Sequence, residues 1–274
     1  MSYLVPFRDE QTTPRESDGD GRSLFPRNRR LVCDLLHFAK QTPSCAHDRE
    51  LNLAKISELR GYLSTRISWP ALFIRAYAMV AERFSDLRKS YMAWPFPHVY
   101  QHPTSVAMLS VQRQVNGIDW LCFGRFLSPE EMSLSAIQLR LDAYRNEPAE
   151  KIFRRQFRFS AFPVFLRRLA WWVTLNLQGD RRARRVGTFG LSSISNLGAV
   201  IQHPPSFLTS TITYGPLDSL GRCRFTVVYD HRLMDGVYIA KALCEVQVVF
   251  DNDISAELEN LINGQSLASA RRAA

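Results

Sequence analysis

Three features of the 274-residue sequence predict an α/β fold. Over 225–229, Phe225, Val227 and Tyr229 alternate with Thr226 and Val228, the period of a strand with one buried face. Asp235-Gly236 then turns the chain into apolar residues at helical spacing: Ile239, Ala242, Leu243, Val246, Val249 and Phe250. Two further strand-like runs, 105–111 and 118–126, flank Asn116-Gly117, the dipeptide of a tight hairpin. An apolar content of 46% is ample for a core between such sheets and helices.

Taken in order, residues 1–22 are polar, with Pro14, Asp18, Gly19, Asp20 and Gly21 in close succession, and are expected to form a flexible arm. The folded domain is expected over 23–264, with a C-terminal tail at 265–274. Leu31, Val32, Leu35, Leu36 and Ala39 predict a helix that ends before Pro43. Residues 68–84 open on Ser68 and Pro70 and carry Leu72, Phe73, Ala76, Val80 and Phe84, a long buried helix. Residues 91–99, rich in Trp, Pro and Phe, read as irregular. Ser128-Pro129-Glu130-Glu131 has the form of a capping box ahead of a helix bearing Leu134, Ile137, Leu141 and Tyr144 on one face.

The net charge of +9 is concentrated in one segment. Residues 151–186 hold Lys151, Arg154, Arg155, Arg158, Arg167, Arg168, Arg181, Arg182, Arg184 and Arg185 against Asp180 alone, so the remainder is neutral. Inside it, 162–177 is apolar over most of a helical circumference, with Arg167, Trp171, Thr174 and Gln178 on a narrower mixed edge. Such a helix suits a membrane interface, a hydrophobic substrate entrance, or packing on its own domain or a neighbouring subunit. Nucleic acid is not an expected partner, because no recognition motif accompanies the charge.

The five cysteines are scattered without C-x-x-C spacing, and no secretory signal opens the chain, so a cytoplasmic location with reduced thiols is expected. No metal-ligand spacing stands out, and no metal is expected. An uninterrupted apolar run of about 20 residues, the length a spanning helix needs, is lacking.

His37, His47, His98, His102 and His203 read as structural; His231 does not, since it closes the strand ahead of the Asp235-Gly236 turn. Asp230-His231-Arg232-x-x-Asp235-Gly236 resembles the signature of the catalytic domain of dihydrolipoyl acyltransferases of 2-oxoacid dehydrogenase complexes. The wider chloramphenicol acetyltransferase-like superfamily shares the looser His-x-x-x-Asp-Gly. Upstream, Gly187-Thr188-Phe189-Gly190-Leu191-Ser192 is similar to the family's Gly-Thr-Phe-x-x-Ser, and Ser195-Asn196-Leu197-Gly198 matches its common Ser-Asn-Leu-Gly. The opening, from Arg29 through 49–60, is also similar, and matching segments run in order to about Phe250. Residues 151–186 are the main departure, a basic, Trp-rich insertion.

The resemblance implies a chloramphenicol acetyltransferase-like two-layer sandwich: a mixed β-sheet flanked by helices, assembled as a homotrimer. His231 would be the general base and Ser192 the oxyanion donor, with Ser195 as the alternative donor. Asp235 would hold the loop after His231 through an ion pair with Arg29; alternatively, Arg29 belongs to a solvated basic helix start. No permanently bound cofactor is implied; a coenzyme A thioester or acyl-carrier thioester would be the substrate, and acyl-CoA or an acyl carrier protein the partner. Lacking recognisable lipoyl and subunit-binding domains, the chain is expected to be a free-standing acyltransferase acting on a hydroxyl, thiol or amine, cytoplasmic or membrane-peripheral. The alternatives are a lipoyl-dependent acyltransferase served by a separate lipoyl protein, and a non-catalytic scaffold.

Overall fold

The computed structural model describes residues 23–273, so the arm expected at 1–22 lies outside the described residues. Among the described residues eight strands form: β1 (Ser44–Asn52), β2 (Lys89–Met92), β3 (His98–Gln101), β4 (Val106–Val115), β5 (Ile118–Leu127), β6 (Phe189–Leu191), β7 (Ser210–Tyr214) and β8 (Arg222–Asp230). Six of them make one sheet in the order β1-β8-β7-β6-β4-β5. β6 runs parallel to β4 and β7 while the other neighbours are antiparallel, which makes the sheet mixed.

Strand alternation divides the sheet into two unlike faces. Ala107, Leu109 and Val111 of β4, Phe189 of β6, Ile212 of β7 and Phe225, Val227 and Tyr229 of β8 point to the main core. Over this face lie α3 (Trp69–Arg83) and α9 (Gly236–Val249), with α2 (Ala54–Gly61), α4 (Leu134–Asn146) and α10 (Ser255–Ala273) beside them. Phe73 of α3 is the hub. Its ring stacks on Tyr214 at 4.2 Å and on Phe225 at 5.4 Å, and meets Phe250 edge-on at 5.2 Å. Tyr77, one turn later, donates its hydroxyl to Ser210 Oγ at 2.9 Å, satisfying both buried groups.

The opposite face carries Met108, Ser110, Phe123, Gly190 and Thr211 and is roofed by α1 (Arg30–Ala39), α6 (Arg154–Ala161) and α7 (Val164–Asn176). Two further helices, α5 (Ala149–Ile152) and α8 (Gly179–Val186), precede α6 and follow α7. α7 is turned against its composition. The mixed edge faces inward: Arg167 and Thr174 are buried, while Phe165, Leu169 and Trp172 are exposed. The cause is an ion pair, since Arg167 donates to both carboxylate oxygens of buried Asp34 on α1, at 2.6 and 3.3 Å. A buried carboxylate needs such a partner, and it orients the helix.

Three local expectations are corrected. Residues 91–99 are not wholly irregular, because β2 and β3 pair as a separate antiparallel ribbon. The cap of α4 is Ser133, whose side chain accepts from Ala136 N; Ser128 sits in a left-handed turn, and the Glu130 carboxylate accepts from Ser105 N at 2.7 Å instead. α10 continues to Ala273 through most of the expected tail, as its Ala, Leu, Gln and Arg content favours.

Candidate active site

β8 ends at Asp230, and His231 is the first residue of the turn that follows. Its backbone N donates to Pro43 O at 2.9 Å, which ties the turn to the segment entering β1. The turn is stapled a second time. Arg232 donates to both carboxylate oxygens of Asp230, at 2.9 and 2.6 Å, and its guanidinium stacks over the Tyr91 ring at 4.1 Å. Held this way, the His231 side chain is 46% exposed, and its Nδ1 lies 3.8 Å from an Asp235 carboxylate oxygen. Tyr229 stands behind it, ring centroids 5.7 Å apart, with a buried hydroxyl that finds no partner among the described residues. Burial pushes that phenol above its usual pKa, so it remains protonated.

Ser192 follows β6 directly and is half-buried; its backbone N donates to Ile212 O at 3.2 Å. It lines a cavity of about 860 Å³ between the second sheet face and the roof of α1, α6 and α7. Ser195 is placed differently. It opens a 3-10 turn, and its backbone N donates to Ser193 Oγ, which in turn donates to Tyr214 O. Of the two serines, Ser192 is the one that lines the cavity.

Register shows that one chain does not join His231 to Ser192. Leu191 pairs with Ile212, which puts Ser192 level with Thr213 and, across β7, with Thr226. His231 lies five residues further along β8, roughly 16 Å at strand spacing. Within one chain the two side chains are set well apart along the sheet. The ion pair between Arg29 and Asp235 is likewise not formed within the chain. The turn bearing Arg29 packs on β5, where Asn28 donates to Asp119 O at 2.8 Å, and β5 is the sheet edge remote from β8. Asp235, with 88% of its side chain exposed, has the His231 ring as its neighbour.

No protein-family model matches the chain, nor does any curated protein sequence. Solved structures do. The Azotobacter vinelandii dihydrolipoamide acetyltransferase superposes with a TM-score of 0.62 at 13% identity, covering 89% of this chain and 98% of that one. The truncated catalytic core of the 2-oxoacid dehydrogenase multienzyme complex from Thermoplasma acidophilum gives 0.63 at 13%, covering 84% and 98%. The cubic core of a pyruvate dehydrogenase multienzyme complex gives 0.61 at 13%, covering 89% and 98%. The fold is that of a dihydrolipoamide acetyltransferase core.

Within this acetyltransferase-core fold, sequence reasoning passed over two residues that shape the histidine turn. Asp230 and Arg232 flank His231 in the motif, and that Asp-x-Arg spacing was the signal for the staple. Arg182 gave none. It is buried, donating to Tyr91 O at 2.6 Å and Leu175 O at 2.9 Å, and burial pulls its pKa down to about 10 while the Asp230 carboxylate pulls it back up. Two of the ten cations of the basic segment, Arg167 and Arg182, are therefore internal fasteners. Among the described residues, no three His, Cys, Asp or Glu side chains gather closely enough to hold a metal ion, and no helix is long and apolar enough to cross a membrane.

Proposed function

We propose that the chain is an acyltransferase that moves an acyl group from a thioester of coenzyme A or a carrier protein to a hydroxyl, thiol or amine. The observation that carries this reading is the state of His231: a half-exposed imidazole on a turn pinned by Pro43 and by the Asp230–Arg232 pair, with no hydrogen bond to its ring among the described residues. A rigidly mounted imidazole with a nitrogen open to solvent suits a general base near neutral pH. The nitrogen turned from Asp235 takes the acceptor's proton as its O, S or N attacks the thioester carbonyl. Ser192 donates to the resulting oxyanion; collapse breaks the C–S bond, and the thiolate leaves with the proton held by His231.

The family resemblance implies a homotrimer with the site between copies, His231 from one and Ser192 from the next, and the separation of the two residues within one chain fits that arrangement. Support comes from the Azotobacter enzyme of the same fold, where roles of a serine, a histidine and an asparagine four residues after it in the catalytic mechanism have been investigated. Asp235 occupies that fourth position here.

Thiol release from acyl-coenzyme A, followed with a thiol reagent, tests the reading. His231→Ala is expected to abolish turnover with an unchanged circular dichroism spectrum, a loss of roughly 10²–10⁴-fold. Ser192→Ala is expected to lose about 10²–10³-fold, and Ser195→Ala little. Mixing the two inactive variants should restore about a quarter of wild-type activity, the share of interfaces that recover both groups in a cyclic trimer. Absence of recovery would remove the shared site. The exposed apolar side of α7 further supports contact with a membrane surface. Co-sedimentation with phosphatidylglycerol vesicles, lost on Phe165→Ser with Leu169→Ser, checks this.

A further inference from the structure

The cavity that Ser192 lines is much larger than a serine hydroxyl requires. Close-packed interiors hold few voids beyond the size of a water molecule, whereas this one measures about 860 Å³. Its walls come from Leu35 of α1, Met108 of β4, Phe123 of β5, Phe159 of α6, Trp171 of α7 and Phe207 ahead of β7. Its floor is kept bare by Gly190, where a Cβ would come within 3.2 Å of both Leu208 Cδ1 and Thr211 Oγ1. Thr211 donates its hydroxyl to Ser206 Oγ at 2.8 Å, and the same oxygen accepts from Leu208 N at 3.1 Å. Of the five cations that line the cavity, Lys151, Arg154, Arg155 and Arg185 are exposed and stand at its mouth, while Arg125 is half-buried and donates to Arg184 O.

Apolar walls, a floor without protrusions and a cationic mouth describe a receptor for an anionic head on a slender hydrocarbon body. We propose that the cavity holds the aliphatic tail of a long-chain acyl thioester, with the phosphorylated carrier at the cationic mouth. The placement of the thioester carbonyl at Ser192 rests on the acyl-transfer reading above; the seat for the tail does not. A methylene has about the bulk of a water molecule, roughly 30 Å³, so a sixteen-carbon tail needs about 480 Å³ and fits within the space. The volume also lies within the range of small-molecule sites.

The test is binding of acyl-coenzyme A thioesters from two to eighteen carbons, by titration calorimetry, to the His231→Ala protein, which turns nothing over. Affinity is expected to climb by up to roughly fourfold per added methylene and then to level off when the space is full. Ser110→Trp and Leu121→Trp, two independent plugs, should each move that plateau to shorter chains; folding is verified by circular dichroism. Free palmitate should compete with the long thioesters and not with the acetyl one. Sixteen-carbon binding no tighter than two-carbon binding, or long-chain binding untouched by both plugs, overturns the proposal; a second copy filling the cavity would give the first of these results. If long chains bind as described and the wild-type protein releases no thiol, the acyl-transfer reading falls and the tail site stands. If acetyl thioesters react while long ones neither bind nor react, the reverse holds.

Discussion

The two faces of the sheet are built from alternate residues of the same strands and yet differ in kind. On the α3 and α9 side, Phe73, Tyr214, Phe225 and Phe250 interlock ring on ring. On the α1 and α7 side, a buried ion pair, Asp34 with Arg167, ties the two roof helices to each other, and a cavity stays open between the roof and the sheet. Apolar surface is present on both sides. The difference lies in the extent of contact: the packed side is one continuous core, whereas the roof meets the segment ahead of β7 through a small apolar cluster of Phe38, Trp171, Leu175 and Phe207 and leaves a gap beside it.

Truncations should separate the faces. Phe73→Ala removes the hub of the packed side and is expected to cost about 3–5 kcal/mol, read as a shift of the urea midpoint. Asp34→Ala strands the Arg167 guanidinium in the roof and should cost a comparable 3–5 kcal/mol, largely recovered when Arg167→Met is added. Recovery to less than half would mean that the pair supplies net stability and does more than orient α7.

His102, in the β2–β3 ribbon region, sharpens the contrast through pH. Buried beside Ser90 Oγ at 2.9 Å and near Arg182, it has its pKa lowered to about 4, burial being the larger cause. The unfolded chain binds this proton more readily. The stability conferred by the neutral ring is therefore full above the unfolded pKa near 6.5 and is lost as pH falls toward 4, at most about 3 kcal/mol. His102→Gln should flatten thermal stability between those pH values. The smallest effect is expected on the open side: Leu121→Ala enlarges a space that already exists and should cost below about 1 kcal/mol.

Legibility followed the same division. The packed face was readable because period two in 225–229 and helical spacing in 68–84 and 237–250 are local signals, and the structure keeps their alternation. The placement of His231 at the end of β8, and of Ser192 directly after β6, was readable for the same reason. The turn of α7 was not, because nothing within 162–177 announces a carboxylate supplied by Asp34 from α1. The position of Arg29 was not legible either: its place at the β5 edge is set by packing around Asn28 and Arg27, which no charge count along the chain contains. Ser128 met the capping pattern, yet the Glu130 carboxylate is engaged by Ser105 N and the cap falls to Ser133, a use of side chains that the local pattern does not contain.

One small contact has a consequence for how chains meet. The Gln156 side chain of α6 accepts from Phe123 N at 3.1 Å and donates to Phe123 O at 2.6 Å, on the outer side of β5. A glutamine amide thereby does midway along that border what a foreign strand would otherwise do, and the border offers no continuous row of free amides for ribbon-like growth. Self-association by strand addition is left to the β1 border, so Gln156→Ala should raise fibril formation under mild heating without altering the cavity floor.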